Sequence, residues 1–425
     1  MKFFKQWGAF MVEGSRSFAR WEVENAKVIM GSRKRMWLLA LLLIPCILGG
    51  LAFADEISQA LPSSIGGKEA YSPSYYSTFI FLVSIFIGMG AGLISGCIGA
   101  GGGFIIAPAL MSAGVKGILA VGTDLFHIFA KAIMGSVLHR KMGNVCAPLA
   151  FVFLIGAIIG TTVGAGINRM LYNINPILSD AFITTVYTIM LGFLGFYGMY
   201  DYFSAKKASK SLGAEDGREG SAMTGIAQKL QSVNLPPMVS FDQGLIPGGR
   251  KISWLFLVLS GILVGMAAGI MGVGGGFLTF PIFVYILGVS SLTTVGTDIF
   301  QIVFTAGYGA ITQYAIYGFI FYTLAMGMLL GSLIGIQIGA LVTKVVPGIT
   351  IRGFFAISVM AGFVNRFFAL PKKLVSMEIL PASMAGTASL MDTVGMYLFF
   401  IVIALFGLWV FGAFFGNIKK LKGEA

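Results

Sequence analysis

Gly99-Ala100-Gly101-Gly102-Gly103-Phe104 decides the reading of this chain, because Gly272-Val273-Gly274-Gly275-Gly276-Phe277 repeats it 173 residues later. The flanks repeat too: Gly92–Pro108 reads GLISGCIGAGGGFIIAP and Gly265–Pro281 reads GMAAGIMGVGGGFLTFP. A second match follows each block, Val121-Gly122-Thr123-Asp124 and Val295-Gly296-Thr297-Asp298, at an offset of 174. A glycine ladder comes third, Gly156, Gly160 and Gly164 in one half, Gly327, Gly331 and Gly335 in the other. Three matched blocks in one order mark a hydrophobic unit that has been duplicated. Duplicated units in membranes commonly hold a substrate between them.

Composition places the unit in lipid. Apolar residues make up 57% of the 425, charged residues only 11%, and 59 are glycine, too few charges to cover a soluble surface. The apolar runs are too long and too many for buried core helices. Net charge is +12, but the basic residues gather in short hydrophilic breaks, which reads as membrane orientation and not as nucleic-acid binding. Cys46, Cys97 and Cys146 have no metal-ligand spacing and imply neither a disulfide framework nor a metal site.

Outward from the glycine blocks, the expected fold is an all-α polytopic membrane protein. It has two inverted repeats, each a glycine-broken half-helix hairpin plus three spanning helices, with one extra helix at each end. Residues 1–36 alternate Phe3, Trp7, Phe10, Met11, Phe18 and Trp21 with Lys2, Lys5, Arg16, Arg20 and Lys27, which suits an amphipathic helix on the cytoplasmic surface or a basic tail. Residues 37–54 read as a retained transmembrane helix, since the segment before them is far too long for a signal peptide. Repeat 1 occupies 78–203, with spans at 119–139, 147–169 and 179–203; a basic cytoplasmic loop covers 204–251. Repeat 2 occupies 252–370, with spans near 292–313, 320–343 and 349–370, and a last helix runs over 391–416. The stretch Phe104–Val115 has 12 residues, roughly 18 Å of helix against an apolar core of about 30 Å, so its N-terminus sits near mid-membrane.

Arg140-Lys141, the 204–251 loop, Lys344 and the C-terminal lysines all fall in the cytoplasm if the first helix runs outward, leaving both termini inside; Arg169 and Lys372-Lys373 fall on the other side. A hairpin plus three spans is an odd number of crossings, so the second copy enters from the opposite face.

The paired GxGGGF blocks, the proline after each and the twin VGTD motifs resemble the TauE/SafE-type sulfite exporters, an anion permease family. The resemblance covers about 78–370. It implies a secondary carrier in the cell inner membrane for small sulfur-containing oxyanions, inorganic or organic, with no cofactor. The N-terminal extension and the large central loop depart from the pattern.

The residues support anion chemistry on their own terms. A half-helix N-terminus offers unpaired N–H groups and about half a positive charge, and glycines before it let the backbone approach a ligand. Gly101, Gly102, Gly103 and Phe104, with Gly274, Gly275, Gly276 and Phe277, are therefore the substrate-binding candidates, joined by Thr123 and Thr297. The alternative is that these glycines only let helices pack closely. Asp124 and Asp298 are carboxylates in apolar surroundings and read either as helix caps or as coupling or gating groups. Asp124, His127 and Lys131 share one helix face, and Asp298, Gln301 and Thr305 are their counterparts; His139 likewise matches Gln313. Lys131 either neutralises Asp124 or lends charge to the anion, and His127 is the natural proton carrier because its ordinary pKa lies near neutrality. Proton coupling follows as an expectation, and a homodimer is left open. Cys97 reads as packing. No HExxH, GxSxG or Cys/His set points to an enzyme. An anion channel and an assembly role for the central loop are the rival readings, and substrate identity and direction of transport stay open.

Overall fold

A computed structural model describes residue 59 and residues 77–98, 102–141, 145–211, 225–242, 249–342, 345–346 and 348–417. The expected segments 1–36 and 37–54 lie outside the described residues, as do Gly99–Gly101 and 212–224.

The first half contains α1 (Thr78–Ile98), the short α2 (Gly103–Ser112), α3 (Gly117–Lys141), α4 (Ala147–Ile174) and α5 (Pro176–Ser211). A small helix α6 (Gly225–Ser232) and strands β1 (Met238–Phe241) and β2 (Arg250–Ser253) follow. The second half has α7 (Trp254–Met271), α8 (Gly276–Pro281), α9 (Ser291–Tyr308), α10 (Tyr322–Val342) and α11 (Gly348–Ser376), and α12 (Ala385–Gly416) closes the chain. Glycine sets the breaks. Gly102 at φ 68° and Gly275 at φ 88° are the left-handed residues just before α2 and α8, a conformation costly for any residue with a Cβ. Ten residues make α2 about 15 Å long, half a bilayer core. The α8 turn continues as a π-turn over Ile282–Ile286, so both short helices stop well short of a crossing.

The glycine ladders explain how the halves join. On α4, Gly156, Gly160 and Gly164 lie against the backbone of Val258, Ile262 and Met266 on α7. On α10, Gly331 and Gly335 lie against the backbone of Ile85 and Met89 on α1, with Gly327 over Ser84. A Cβ at Gly160 would come 2.6 Å from Met266 N, and one at Gly331 2.7 Å from Met89 N. The arm helices α1 and α7 therefore pack on α10 and α4 of the other half, and the same contact is made twice with the halves exchanged. The remaining pairs, α3 with α9 and α5 with α11, join counterparts.

Among the described residues, seven helices are long and apolar enough to cross a membrane: α1, α4, α5, α7, α10, α11 and α12. The expected spans 119–139 and 292–313 correspond to α3 and α9, which are not among them. These two carry Asp124, His127 and Lys131, and Asp298, Gln301 and Thr305, and they pack on each other inside the protein. The second expected span is also broken: after Tyr308 the chain makes a π-turn (Gly309–Tyr314) and a 3-10 turn (Ala315–Tyr317). At the periphery, α12 exposes Leu390, Leu398, Ile401, Leu405 and Leu408, as a lipid-facing helix would.

The segment expected as a loop over 204–251, with room for a little local structure, carries such structure. Helix α5 runs on to Ser211, and β1 and β2 pair antiparallel, Val239 opposite Ile252. Val239, Phe241 and Ile252 are buried with Leu149 and Phe153 of α4 and with Leu257, Leu287 and Val289 of the second half, so this hairpin is seated where the two halves meet. Its strands have four residues each and are joined by a longer connection than a tight hairpin turn, so neither a short turn nor a long alternating run announces them.

Candidate functional site

The two glycine blocks meet. A Cβ on Gly103 would lie 3.2 Å from Val273 Cα, inside the opposite block, and 2.9 Å from Ile128 Cδ1. Ile128 also reaches the other side, 2.8 Å from a Cβ built on Gly274, so this α3 side chain is wedged between the blocks. Phe104 is buried and meets Phe355 of α11 edge-on, with ring centroids 5.6 Å apart. Phe277 is half-buried against the same core. Gly101 lies outside the described residues.

The VGTD motifs sit within α3 and α9, not at their starts. Asp124 and Asp298 are interior to helices that begin at Gly117 and Ser291, which removes the capping reading; the cap of α9 is Ser290, whose Oγ accepts from Thr293 N at 3.4 Å. The threonines are engaged across the halves. Thr123 Oγ1 accepts the N–H of Phe321, just before α10, and Thr297 Oγ1 accepts that of Cys146, just before α4, each at 3.0 Å. Both candidates therefore tie the start of α10 or α4 to the motif helix of the opposite half.

The carboxylates differ sharply. Asp298 Oδ1 accepts from Gln301 Nε2 at 2.9 Å, and Gln301 Oε1 accepts from Thr305 Oγ1 at 2.7 Å. A Cβ on Gly276, the first residue of α8, would be 3.1 Å from Asp298 Oδ2, so that carboxylate stands at the positive end of α8. Asp124 is fully buried, and neither of its oxygens has a hydrogen-bond partner. Its Oδ1 lies 3.7 Å from His127 Nδ1, which is also unpartnered. His127 Nε2 is 3.0 Å from Ser332 Oγ of α10, and Lys131 Nζ donates to Ser95 Oγ of α1 at 2.8 Å. The expected face of Asp124, His127 and Lys131 thus exists and is linked outward to α1 and α10. His139 lies in α3 and Gln313 in the π-turn after α9, the one matching the other in position.

A family model described as "Sulfite exporter TauE/SafE" matches residues 84–366, which include both glycine blocks and both carboxylates. The chain belongs to the TauE/SafE family. Over 130 residues it is 31% identical to "Sulfite exporter TauE/SafE family protein 6" of Arabidopsis thaliana, a match covering 30% of each chain. Two Bacillus subtilis proteins, "Probable membrane transporter protein YjnA" and "Probable membrane transporter protein YunE", are 25% and 24% identical over 272 residues. Each of those matches covers 62% of this chain and 89% of the relative. No solved structure matches the chain.

In this TauE/SafE chain several polar residues of the membrane region escaped the sequence reading. Arg366 of α11 is buried, and its Nε donates to Asn365 Oδ1 at 2.7 Å and its Nη2 to Ser112 Oγ at 2.5 Å. An arginine inside an apolar run was the available signal. Tyr187 of α5 donates to Met271 O, at the end of α7. Asn168 Nδ2 donates to Tyr314 OH at 3.0 Å, and Tyr314 OH to Gly269 O at 2.5 Å. The cations on the other side of the charge count are locally engaged. Arg169 donates to Gln313 O and Oε1 at 2.6 and 2.8 Å and lies 4.4 Å from the centre of the Tyr317 ring. Lys372 pairs with Asp392 at 2.8 Å and Lys373 with Asp180 at 3.1 Å. Cys97 is buried, its thiol 3.4 Å from Gly339 O, consistent with packing.

Proposed function

We propose that this TauE/SafE chain is a secondary carrier for a small sulfur-containing oxyanion, sulfite or an organosulfonate, bound where the two glycine blocks touch. The observation that carries the reading is the contact of Gly103 with Val273, which brings the N-terminal ends of α2 and α8 to one place. A small oxyanion has little apolar surface to bury, so its site must supply N–H donors and positive potential without a bulky side chain. Gly102 and Gly275, both left-handed, stand just before these helices and add no side chain there. Asp298 stands at one of these helix ends and competes with a bound anion there, which makes it a gating group. The relatives' printed names, a sulfite exporter family protein and two membrane transporters, point the same way. The carrier would sit in the inner membrane with both termini in the cytoplasm, and labelling near Lys68 from outside and near Gly217 from inside tests that placement.

The decisive measurement is anion binding to the purified chain across sulfite, thiosulfate, sulfate and sulfoacetate, with flux in liposomes. Saturable flux supports a carrier; flux linear in concentration supports a channel. Gly103→Ala sharpens the site, because Gly103 lacks the left-handed backbone of Gly102 and its new Cβ points at Val273 and Ile128. It should cut anion affinity about tenfold, or about 1.4 kcal/mol, with folding retained. Unchanged affinity would place the anion elsewhere.

A further inference from the structure

We propose that Asp124 and His127 together bind one proton, and that this proton moves with the anion through the first half alone. The inference rests on the carrier reading above, and its central test is independent of any substrate.

Hydrogen-bond direction carries the argument. Ser332 Oγ donates to Leu329 O at 3.2 Å, so the same oxygen receives the hydrogen of His127 Nε2 at 3.0 Å. A neutral imidazole protonated at Nε2 has a bare lone pair at Nδ1. That lone pair faces Asp124 Oδ1 at 3.7 Å, and Nδ1 and both carboxylate oxygens are the atoms left without a partner. Two acceptors facing each other away from water repel, and unsatisfied buried acceptors are costly. One proton placed between them turns the repulsion into a donor–acceptor pair, with a small side-chain rotation to close the gap. The opposite tautomer, with Ser332 donating to Nε2, would leave Asp124 ionised with a single donor and its Oδ2 bare.

The second half is arranged differently. Gln301 presents an amide donor to Asp298 Oδ1, and Thr305 donates to Gln301 Oε1, so Asp298 has a donor that Asp124 lacks. The other groups around the Asp124 pair have partners of their own. Lys131 on α3 donates to Ser95 of α1 while its charge also acts on Asp124 and His127, and Ser332 is the contribution of α10. Tyr187 of α5 donates to Met271 O, Tyr314 to Gly269 O, and Arg169 of α4 to Gln313. On α9 Asp298 is held by Gln301, and α2 and α7 carry no ionisable residue. The link to the anion is short: Ile128, the next residue after His127, is the side chain wedged between the glycine blocks. A charged Asp124 would oppose an anion nearby, whereas a protonated one does not, so proton and anion bind together and leave together.

Infrared difference spectra of the purified full chain test the proton site directly. A protonated-carboxyl band should be present in the unmodified protein, lost in Asp124→Asn, lost or strongly reduced in His127→Gln, and retained in Asp298→Asn. His127→Gln copies the second half and supplies a donor where the proton sat, so it reports even if Asp124→Asn folds poorly. Absence of the band, or its persistence in Asp124→Asn, overturns the proposal. Flux of radiolabelled sulfoacetate in proteoliposomes with an internal pH dye reads the coupling, since this anion exchanges no proton of its own at neutral pH. About one proton should enter per anion, falling at least tenfold in His127→Gln. Uptake driven by sodium and unaffected by a proton gradient also overturns it. If sulfoacetate is not carried, the carrier reading fails for this anion, while the infrared result still decides the proton site.

Discussion

The far ends of the two short-helix hairpins are held by the same chemistry drawn from different places. In the first half Arg366 of α11 grips Ser112, the last residue of α2, at 2.5 Å. Asp180 of α5 then receives the first N–H of α3, from Gly117, at 2.7 Å, and pairs with Lys373 at 3.1 Å. In the second half Arg250 Nη1 donates to Gly288 O and Gln231 Nε2 to Leu287 O, each at 2.7 Å, just past the short α8 and its π-turn. Asp242 receives the Ser290 N–H at 2.9 Å and the hydroxyls of Ser290 and Thr293 at 2.6 and 2.5 Å, with Arg250 4.0 Å away. An arginine at the end of the short helix, an aspartate at the start of the next and a cation on that aspartate recur. The first set comes from membrane helices; the second comes from the segment between the halves. That segment thus does for α8 and α9 what α5 and α11 do for α2 and α3, and it is a working part of the second half.

The harshest way to probe the likeness is through the contacts that the halves share. Gly160→Val and Gly331→Val each force a branched side chain onto a neighbouring helix backbone, at Met266 and Met89 respectively. Each should cost 3 kcal/mol or more, at or beyond the usual range of about 1–3 kcal/mol for overpacking, and should abolish monodisperse protein on size-exclusion chromatography. A half that tolerated valine would show that the two ladders are not equivalent. A smaller effect is expected from the arginines, and it should be unequal. Arg366→Met removes two hydrogen bonds in a buried setting and should lower stability by about 2 kcal/mol. Arg250 is partly exposed, so Arg250→Met should lose about 1 kcal/mol or less in thermal unfolding. Equal losses would mean that burial does not distinguish the two clamps.

Much of this was legible because it is written in repeated glycine. The short helices follow from the glycine blocks, and the duplication follows from the blocks and ladders together, whereas the ladders' role in joining the halves is visible only in the structure. What the twin threonines and aspartates do was not legible. Thr123 and Thr297 look like caps beside a Gly-Thr-Asp signature, but α3 and α9 begin well before them, and each threonine bonds a backbone more than 150 residues away in the chain. The difference between Asp124 and Asp298 was half visible, as His127 against Gln301, while the missing partner of Asp124 depends on the Ser332 contact from α10. Gly102→Val, an obvious test from sequence, would confuse site with strain. Its backbone is left-handed, and a Cβ there would meet Ala91 O at 2.7 Å.

The gentlest test asks whether the inter-half segment really holds the second hairpin, and Cys146 is placed to answer. Its N–H is bound to Thr297, and its thiol lies 3.7 Å from Ser240 O of β1, so it sits where the segment, α4 and α9 meet. Burial pushes the thiol above its ordinary value, the backbone N–H of Leu149 lowers it, and the nearby Asp242 carboxylate raises it again. Replacing Cys46 and Cys97 with serine leaves Cys146 as the reporter for a maleimide. Asp242→Asn removes the negative charge and puts an amide where the carboxylate accepted three hydrogens. Losing the charge lowers the thiol pKa, so more thiolate exists at a given pH, and a shift of about one unit means roughly tenfold faster alkylation below the pKa. Loosening the segment would act differently, raising the rate even at alkaline pH where the thiol is already ionised. The expected outcome for Asp242→Asn is a rate profile both displaced to lower pH and raised at its alkaline plateau. Asp180→Asn, the matching change in the first half, should leave the Cys146 profile untouched. A plateau that does not move in Asp242→Asn would reduce Asp242 to a local charge and break the equivalence of the two clamps.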